Sequence, residues 1–199
     1  MNQVNVELLF AVEERDLERV RECIQRGADI NSEGEDGTAL MLAVYPDTPF
    51  LRRKPIIELL LAKGAGVDAR NDDGGTALMA CALNGAYRDM ELLIQLGANP
   101  HLVDSDGQNA LHYVALNSLQ GRSTDFSMVK AAKCLVQAGV STTHRDRWGH
   151  SPIEVVSKNF RDESVFVSTV LEAQAAYVRN QLKVGVGKRT RAKKRARVM

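Results

Sequence analysis

The side chains able to do chemistry in this chain are few, and their spacing argues against catalysis. Of its four histidines, His101, His112, His144 and His150, the nearest two stand six residues apart. Cys23, Cys81 and Cys134 are more than fifty residues from one another. Neither set has the short ligand spacing of a zinc site. The stretch Gly185-Val186-Gly187-Lys188-Arg189-Thr190 has the glycines of a phosphate loop, but not its four-residue spacer, a preceding strand or a following helix. No nucleophile elbow or kinase signature is present. Asp72 and Asp73 fall in a turn open to water, where nothing would shift a pKa. The cysteines lie within apolar helical patterns and read as small core residues. The chain is therefore expected to be no enzyme and to hold no metal or cofactor.

Charge gives the stronger signal. The formal net charge is +1, yet residues 1–182 carry 18 Lys and Arg against 25 Asp and Glu, a net −7, while residues 183–199 carry eight basic groups and no acid. An acidic body thus precedes a basic tail. Within it, Lys188, Arg189 and Arg191, then Lys193, Lys194, Arg195 and Arg197, form two short clusters. Three readings follow: a signal for a nuclear import receptor, non-specific neutralisation of nucleic-acid phosphates, or a solvated tail. No aromatic is interleaved, which disfavours a base-stacking platform.

What must position any site is an ordinary globular body: 199 residues, 44% hydrophobic, 26% charged and 5% aromatic. Apolar runs reach only about seven residues, far from the roughly 18 that cross a bilayer. The N-terminus lacks a basic region ahead of its interrupted apolar stretch, so no signal peptide is read. Three scattered cysteines make no disulfide framework. The expectation is an intracellular monomer, cytoplasmic and, through the tail, nuclear, without membrane contact.

Two phrases alternate along that body. One begins Gly37-Thr38-Ala39-Leu40-Met41, Gly75-Thr76-Ala77-Leu78-Met79, Gln108-Asn109-Ala110-Leu111-His112 and His150-Ser151-Pro152-Ile153-Glu154. The other runs Gly27-Ala28-Asp29-Ile30-Asn31, Gly64-Ala65-Gly66-Val67-Asp68, Gly97-Ala98-Asn99-Pro100 and Gly139-Val140-Ser141. Thr38, Thr76, Asn109 and Ser151 carry the short side-chain oxygens that cap a helix N-terminus. Gly27, Gly64, Gly97 and Gly139 each follow an apolar helical run, where a left-handed residue stops a helix. Cap and stop leave room for two short helices, and the roughly ten residues after each glycine suit a projecting turn.

The shortest full period is 33 residues. A unit of that length, built of a turn and two helices, opened by Thr-x-Leu and closed by Gly-Ala, resembles the ankyrin repeat. The stretch from Gly74 to Pro100 follows the family pattern over a whole unit. Ala39, Ala77 and Ala110 replace the family's proline, and Met41, Met79 and Glu154 replace its histidine, which remains only as His112. The resemblance implies an all-α ankyrin-repeat solenoid of about five helix-turn-helix units with projecting turns, plus a basic C-terminal tail. The units fall at about 5–36, 37–73, 74–106, 107–148 and 149–182, and residues 183–199 read as a disordered tail. Insertions at Tyr45 to Pro55 and Asn117 to Phe126 interrupt the period and read as surface loops. Glu163 to Lys183 spells a closing amphipathic helix with Val167, Val170, Leu171, Ala175, Val178 and Leu182 on one stripe.

Resemblance to this family further implies a non-enzymatic adaptor or inhibitor that binds another protein through its turn tips and inner helix face. On the tips these positions are Asp72, Asp73, Gly75, Ser105, Asp106, Gln108, Arg147, Trp148 and His150. On the inner helices they are Tyr45, Leu83, Asn84, Leu116, Asn117, Lys158 and Asn159. Trp148, the sole tryptophan, stands out in a polar turn that propensity does not explain. His112, on an inner helix, is expected to be a hydrogen-bonded structural histidine. The rival reading is a nucleic-acid-associated protein held through its tail.

Overall fold

The computed structural model describes residues 2–119, 125–157 and 166–181. Helices α1 (Gln3–Glu13), α3 (Ala39–Ala43), α5 (Ala77–Leu83), α7 (Ala110–Leu119) and α9 (Pro152–Ser157) form an inner row, each packing on the next. Helices α2 (Leu17–Gln25), α4 (Phe50–Ala62), α6 (Tyr87–Gln95) and α8 (Asp125–Gln137) form an outer row, each packed on its inner partner. A tenth helix, α10, spans 166–181. The one sheet among the described residues is a hairpin of two-residue strands, Glu33–Gly34 and Gly37–Thr38, with Glu33 opposite Thr38.

Local chemistry sets where each helix starts and stops. The Thr38 and Thr76 hydroxyls accept from the Met41 and Met79 N–H groups, Asn109 Oδ1 from Leu111 and His112, and Ser151 Oγ from Glu154. At the other end, the N–H groups of Ala28, Ala65, Ala98 and Val140 reach back five residues to the carbonyls of Cys23, Leu60, Leu93 and Leu135. That closure needs a left-handed residue just before it, supplied by Gly27, Gly64, Gly97 and Gly139 at φ between 85° and 99°. The same closure joins α1 to α2 and α5 to α6, through Asp16 to Ala11 and Ala86 to Cys81. Gly85 (φ 67°) takes the left-handed position in the second case and Arg15 (φ 59°) in the first, at a cost of about 1–2 kcal/mol for a residue with a Cβ.

Between the rows runs one apolar core, in which Leu8, Leu40, Ile57, Leu60, Leu78, Leu93, Leu111 and Leu135 are buried. Polar groups link the repeats where that core ends. Between units, Asn31 Oδ1 accepts from Gly66 N–H (2.8 Å) and Asp68 Oδ1 from Asn99 N–H (2.9 Å). This is the physical use of the polar residue that ends the Gly-Ala phrase.

Two expectations need correction. The first insertion is only partly a surface loop: α4 begins within it at Phe50, and Arg53 is buried against Asp89. Arg53 Nη2 lies 2.5 Å from Asp89 Oδ2 and its Nε 3.2 Å from Oδ1, and the guanidinium also donates to the Thr48 carbonyl. On α10 the buried stripe is Phe166, Thr169, Val170 and Ala173, with Tyr177 half-buried; Leu171, Ala175 and Val178 are exposed and Val167 is half-buried. The helix is rotated from the expected stripe so that Phe166, its largest apolar side chain, enters the core.

Candidate interaction surface

Turn tips stand in a row and are tied to one another. Ser105 N–H donates to the Asp73 carbonyl (2.9 Å) and Arg147 N–H to the Asp106 carbonyl (2.8 Å). Arg70 Nη1 adds bonds to the Gly74 and Val103 carbonyls (2.8 and 2.7 Å). Within each tip a short side chain shapes the turn: Asn71 Oδ1 accepts from Gly75, and Asp104 Oδ1 from Asp106 and Gln108. Asp146 Oδ1 accepts from Trp148 (3.0 Å) and His150 (2.8 Å). Burial opposes the Asp146 charge, but donors from His150, Gln108 and Trp148 outweigh it and hold the carboxyl below its ordinary range.

Below the first tips, the inner helices leave a cavity of about 530 Å³. The floor is apolar, formed by Met41, Leu42, Met79, Ala80 and Leu83. One end carries Tyr45, 52% exposed, with Arg15 and Asp47; the tip side carries Asp36, Asn71, Asp73 and Gly75; Glu13, Asn84 and Tyr113 complete the wall. Arg15 is held by three bonds, from Nη1 to the Val12 carbonyl (2.6 Å) and from Nη2 to the Tyr45 carbonyl (3.0 Å) and Asp47 Oδ1 (2.7 Å). Tyr113 donates its hydroxyl to Asp104 Oδ2 at 2.6 Å, and burial together with that carboxylate pushes its pKa up.

Of the residues singled out from sequence, Tyr45, Asp73, Gly75, Leu83 and Asn84 thus come together in one concave wall. Asp72 is exposed on the same tip as Asp73 but outside that wall, and Leu116 is half-buried against the core. Asn117 is buried and donates to the Leu83 carbonyl, a tie between inner helices. Farther along, Arg147 Nη1 pairs with Asp106 Oδ1 at 2.6 Å, and its guanidinium lies 5.4 Å from the Trp148 ring centre. Trp148 itself is 56% exposed, while the His150 carbonyl accepts from Asp146 N–H and lies 3.1 Å from His112 Nε2. Lys158, Asn159 and the tail residues lie outside the described residues.

Sequence reading missed Glu13, Arg15, Asp36, Asp47 and the two methionines as wall residues. Arg15 had one available signal: it stands where Gly85 stands in a later unit, so a non-glycine there had to hold a left-handed conformation.

Among the described residues, no three His, Cys, Asp or Glu side chains gather to hold a metal ion, and no helix is long and apolar enough to cross a membrane. His112 is fully buried, with Nδ1 at 2.8 Å from Asn109 Oδ1, and burial holds its pKa below the ordinary imidazole value. Burial likewise raises all three thiols, Cys134 to about 11.

Comparison with known proteins agrees with this architecture. Over 191 residues the chain is 27% identical to transient receptor potential cation channel subfamily A member 1 of Drosophila melanogaster, covering 78% of this chain and 16% of the channel. It is 36% identical over 115 residues to the ankyrin repeat and KH domain-containing protein mask-1 of Caenorhabditis elegans, covering 57% and 4%. Human ankyrin repeat domain-containing protein 63 is 36% identical over 87 residues, covering 43% and 23%. The chain spans less than a quarter of the length of each of these relatives. A family model described as ankyrin repeats matches residues 8–104 and 50–146, so that with its capped helix pairs and tied turn tips the chain belongs to the ankyrin-repeat family.

Proposed function

We propose that this chain is a non-enzymatic adaptor or inhibitor that binds another protein through its turn tips and the concave face of its inner helices. Ankyrin repeats are generally protein-protein interaction modules. The observation that carries the reading is the concave wall in which Tyr45, Asp73, Leu83 and Asn84 share one cavity with an apolar floor. A half-exposed tyrosine beside this cavity is not needed by the solenoid core, and it matches the side chains that hold binding energy at interfaces. Affinity capture from native lysate with the full chain tests the reading. Proteins retained by the wild type and lost with Tyr45→Ala plus Leu83→Ala would support it. An identical set of retained proteins with that variant would refute it.

The basic tail supports a second activity, nuclear import or contact with nucleic acid through Lys188, Arg189, Arg191, Lys193, Lys194, Arg195 and Arg197, and with it a nuclear as well as cytoplasmic location. Phosphate contacts make binding fall steeply with salt. Nucleic-acid binding that is insensitive to salt, or unchanged when those seven residues become Gln, would remove this reading.

A further inference from the structure

From the cavity between the first tips and the inner helices we infer a docking site for a partner's extended Lys/Arg-rich segment that carries one apolar anchor. The inference rests on the proposed concave binding face and names the chemistry of its partner.

Charge is the first argument. The wall holds four carboxylates, Glu13, Asp36, Asp47 and Asp73, against one guanidinium. Arg15 neutralises Asp47 at 2.7 Å. Glu13, Asp36 and Asp73 are exposed and have no ion-pair partner among the described residues. Three uncompensated negative charges around one concavity raise the local concentration of cations and reject acidic segments.

The floor supplies the second argument. Met41 and Met79 are buried and back the floor, while half-buried Ala80 and Leu83 give it the apolar surface that one anchor side chain can cover. The exposed Tyr45 ring at the edge of the cavity suits a cation over its face. A partner is therefore held by an apolar side chain on the floor, with basic residues on either side of it at the rim.

Arg15 supplies the third. Its side chain is only 4% exposed, and its guanidinium is spent on the Val12 and Tyr45 carbonyls and on Asp47, so the one cation of the wall is offset internally and does not repel a basic segment. A folded acidic or purely apolar surface would satisfy only part of this set.

The test uses the full chain and a fluorescent peptide of about twelve residues, roughly 40 Å when extended. It carries Lys and Arg around a central Leu, and matched peptides carry Glu in place of the basic residues or Ser in place of Leu. The basic peptide is expected to bind at low salt and to shift the methyl resonances of Met41 and Met79. Each of Glu13→Lys, Asp36→Lys and Asp73→Lys should weaken it by about three-fold and the triple variant by more than about ten-fold, with melting temperature unchanged. Glu91→Lys, on the outer row, should have less than about a two-fold effect. Equal binding of the basic and acidic peptides, an unaffected triple variant or an equal loss in Glu91→Lys overturns the inference. So does a chain whose seven tail residues are Gln binding the peptide at least about ten-fold tighter, because the chain's own basic run would then be the occupant. If the acidic or Ser peptide alone moves the methionine signals, the concave face still binds and only the stated partner chemistry falls.

Discussion

Removing the Asp89 carboxylate is the sharpest perturbation the structure offers. Its side chain is fully buried and that of Arg53 is 5% exposed, so Asp89→Ala would leave a guanidinium in the core with only the Thr48 carbonyl as a partner. Burial also pushes the Asp89 carboxyl above its ordinary range despite Arg53 pulling it down, so desolvation at this site is already large. Breaking such a pair from one side costs about 3–5 kcal/mol, whereas replacing both members by apolar groups is often neutral. For a chain of this length the lower figure corresponds to a fall of roughly 6–12 °C in melting midpoint. The expected order of stability is Arg53→Met with Asp89→Leu close to wild type, and Asp89→Ala far below. Urea denaturation followed by circular dichroism gives the three values, and proteolysis between Pro46 and Pro49 reports whether the insertion has come loose. A loss under about 1 kcal/mol for Asp89→Ala, or a double variant as unstable as the sum of its singles, would refute the argument.

Other outcomes follow from the same geometry. Gly64→Val and Gly97→Val place a β-branched side chain at φ 96° and 99°, where space is open but the conformation is not, and each should lower the melting temperature by the equivalent of about 1–2 kcal/mol. Unchanged melting in both would contradict the helix stops. Because burial depresses the His112 pKa relative to the unfolded value near about 6.5, the stability it contributes is complete above that pH and is lost as pH falls below it. Melting curves between about pH 8 and 5 should therefore decline more for wild type than for His112→Gln; parallel curves would exclude His112 as the cause. Trp148→Ala should leave melting nearly unchanged, since the ring is 56% exposed, while weakening partner binding by about 2 kcal/mol. A loss of stability with normal binding would reverse that assignment.

The fold was readable because the repeat is punctuated by residues with one local job each. A threonine that caps Met41 or Met79 N–H and a glycine at φ 96° are decided within a few residues, so their positions in sequence suffice. His112 was readable for the same reason, its Asn109 partner lying three residues away. The binding wall was readable in part. Leu83 ends an inner helix, and Tyr45 and Asn84, expected on such helices, stand just past their ends; but Arg15 and Asp47 meet across 32 residues, and Arg53 meets Asp89 across 36. Such pairs depend on how an insertion folds back, which no periodicity encodes. The last helix shows the complementary error: Val170 is buried as the apolar stripe implied, yet Phe166 and Ala173 share the core with it and leave Leu171 and Val178 outward.

The hydrogen bonds that join one tip to the next bear on how fast a complex forms and breaks. A loop that must be frozen on contact surrenders conformational entropy at that moment, and affinity falls accordingly. Here the Asp73–Ser105 and Asp106–Arg147 backbone bonds have already fixed the row before any partner arrives. Such a comb presents a nearly rigid profile, so changes at Asp73 or Trp148 should register chiefly in the lifetime of the complex rather than in its rate of formation.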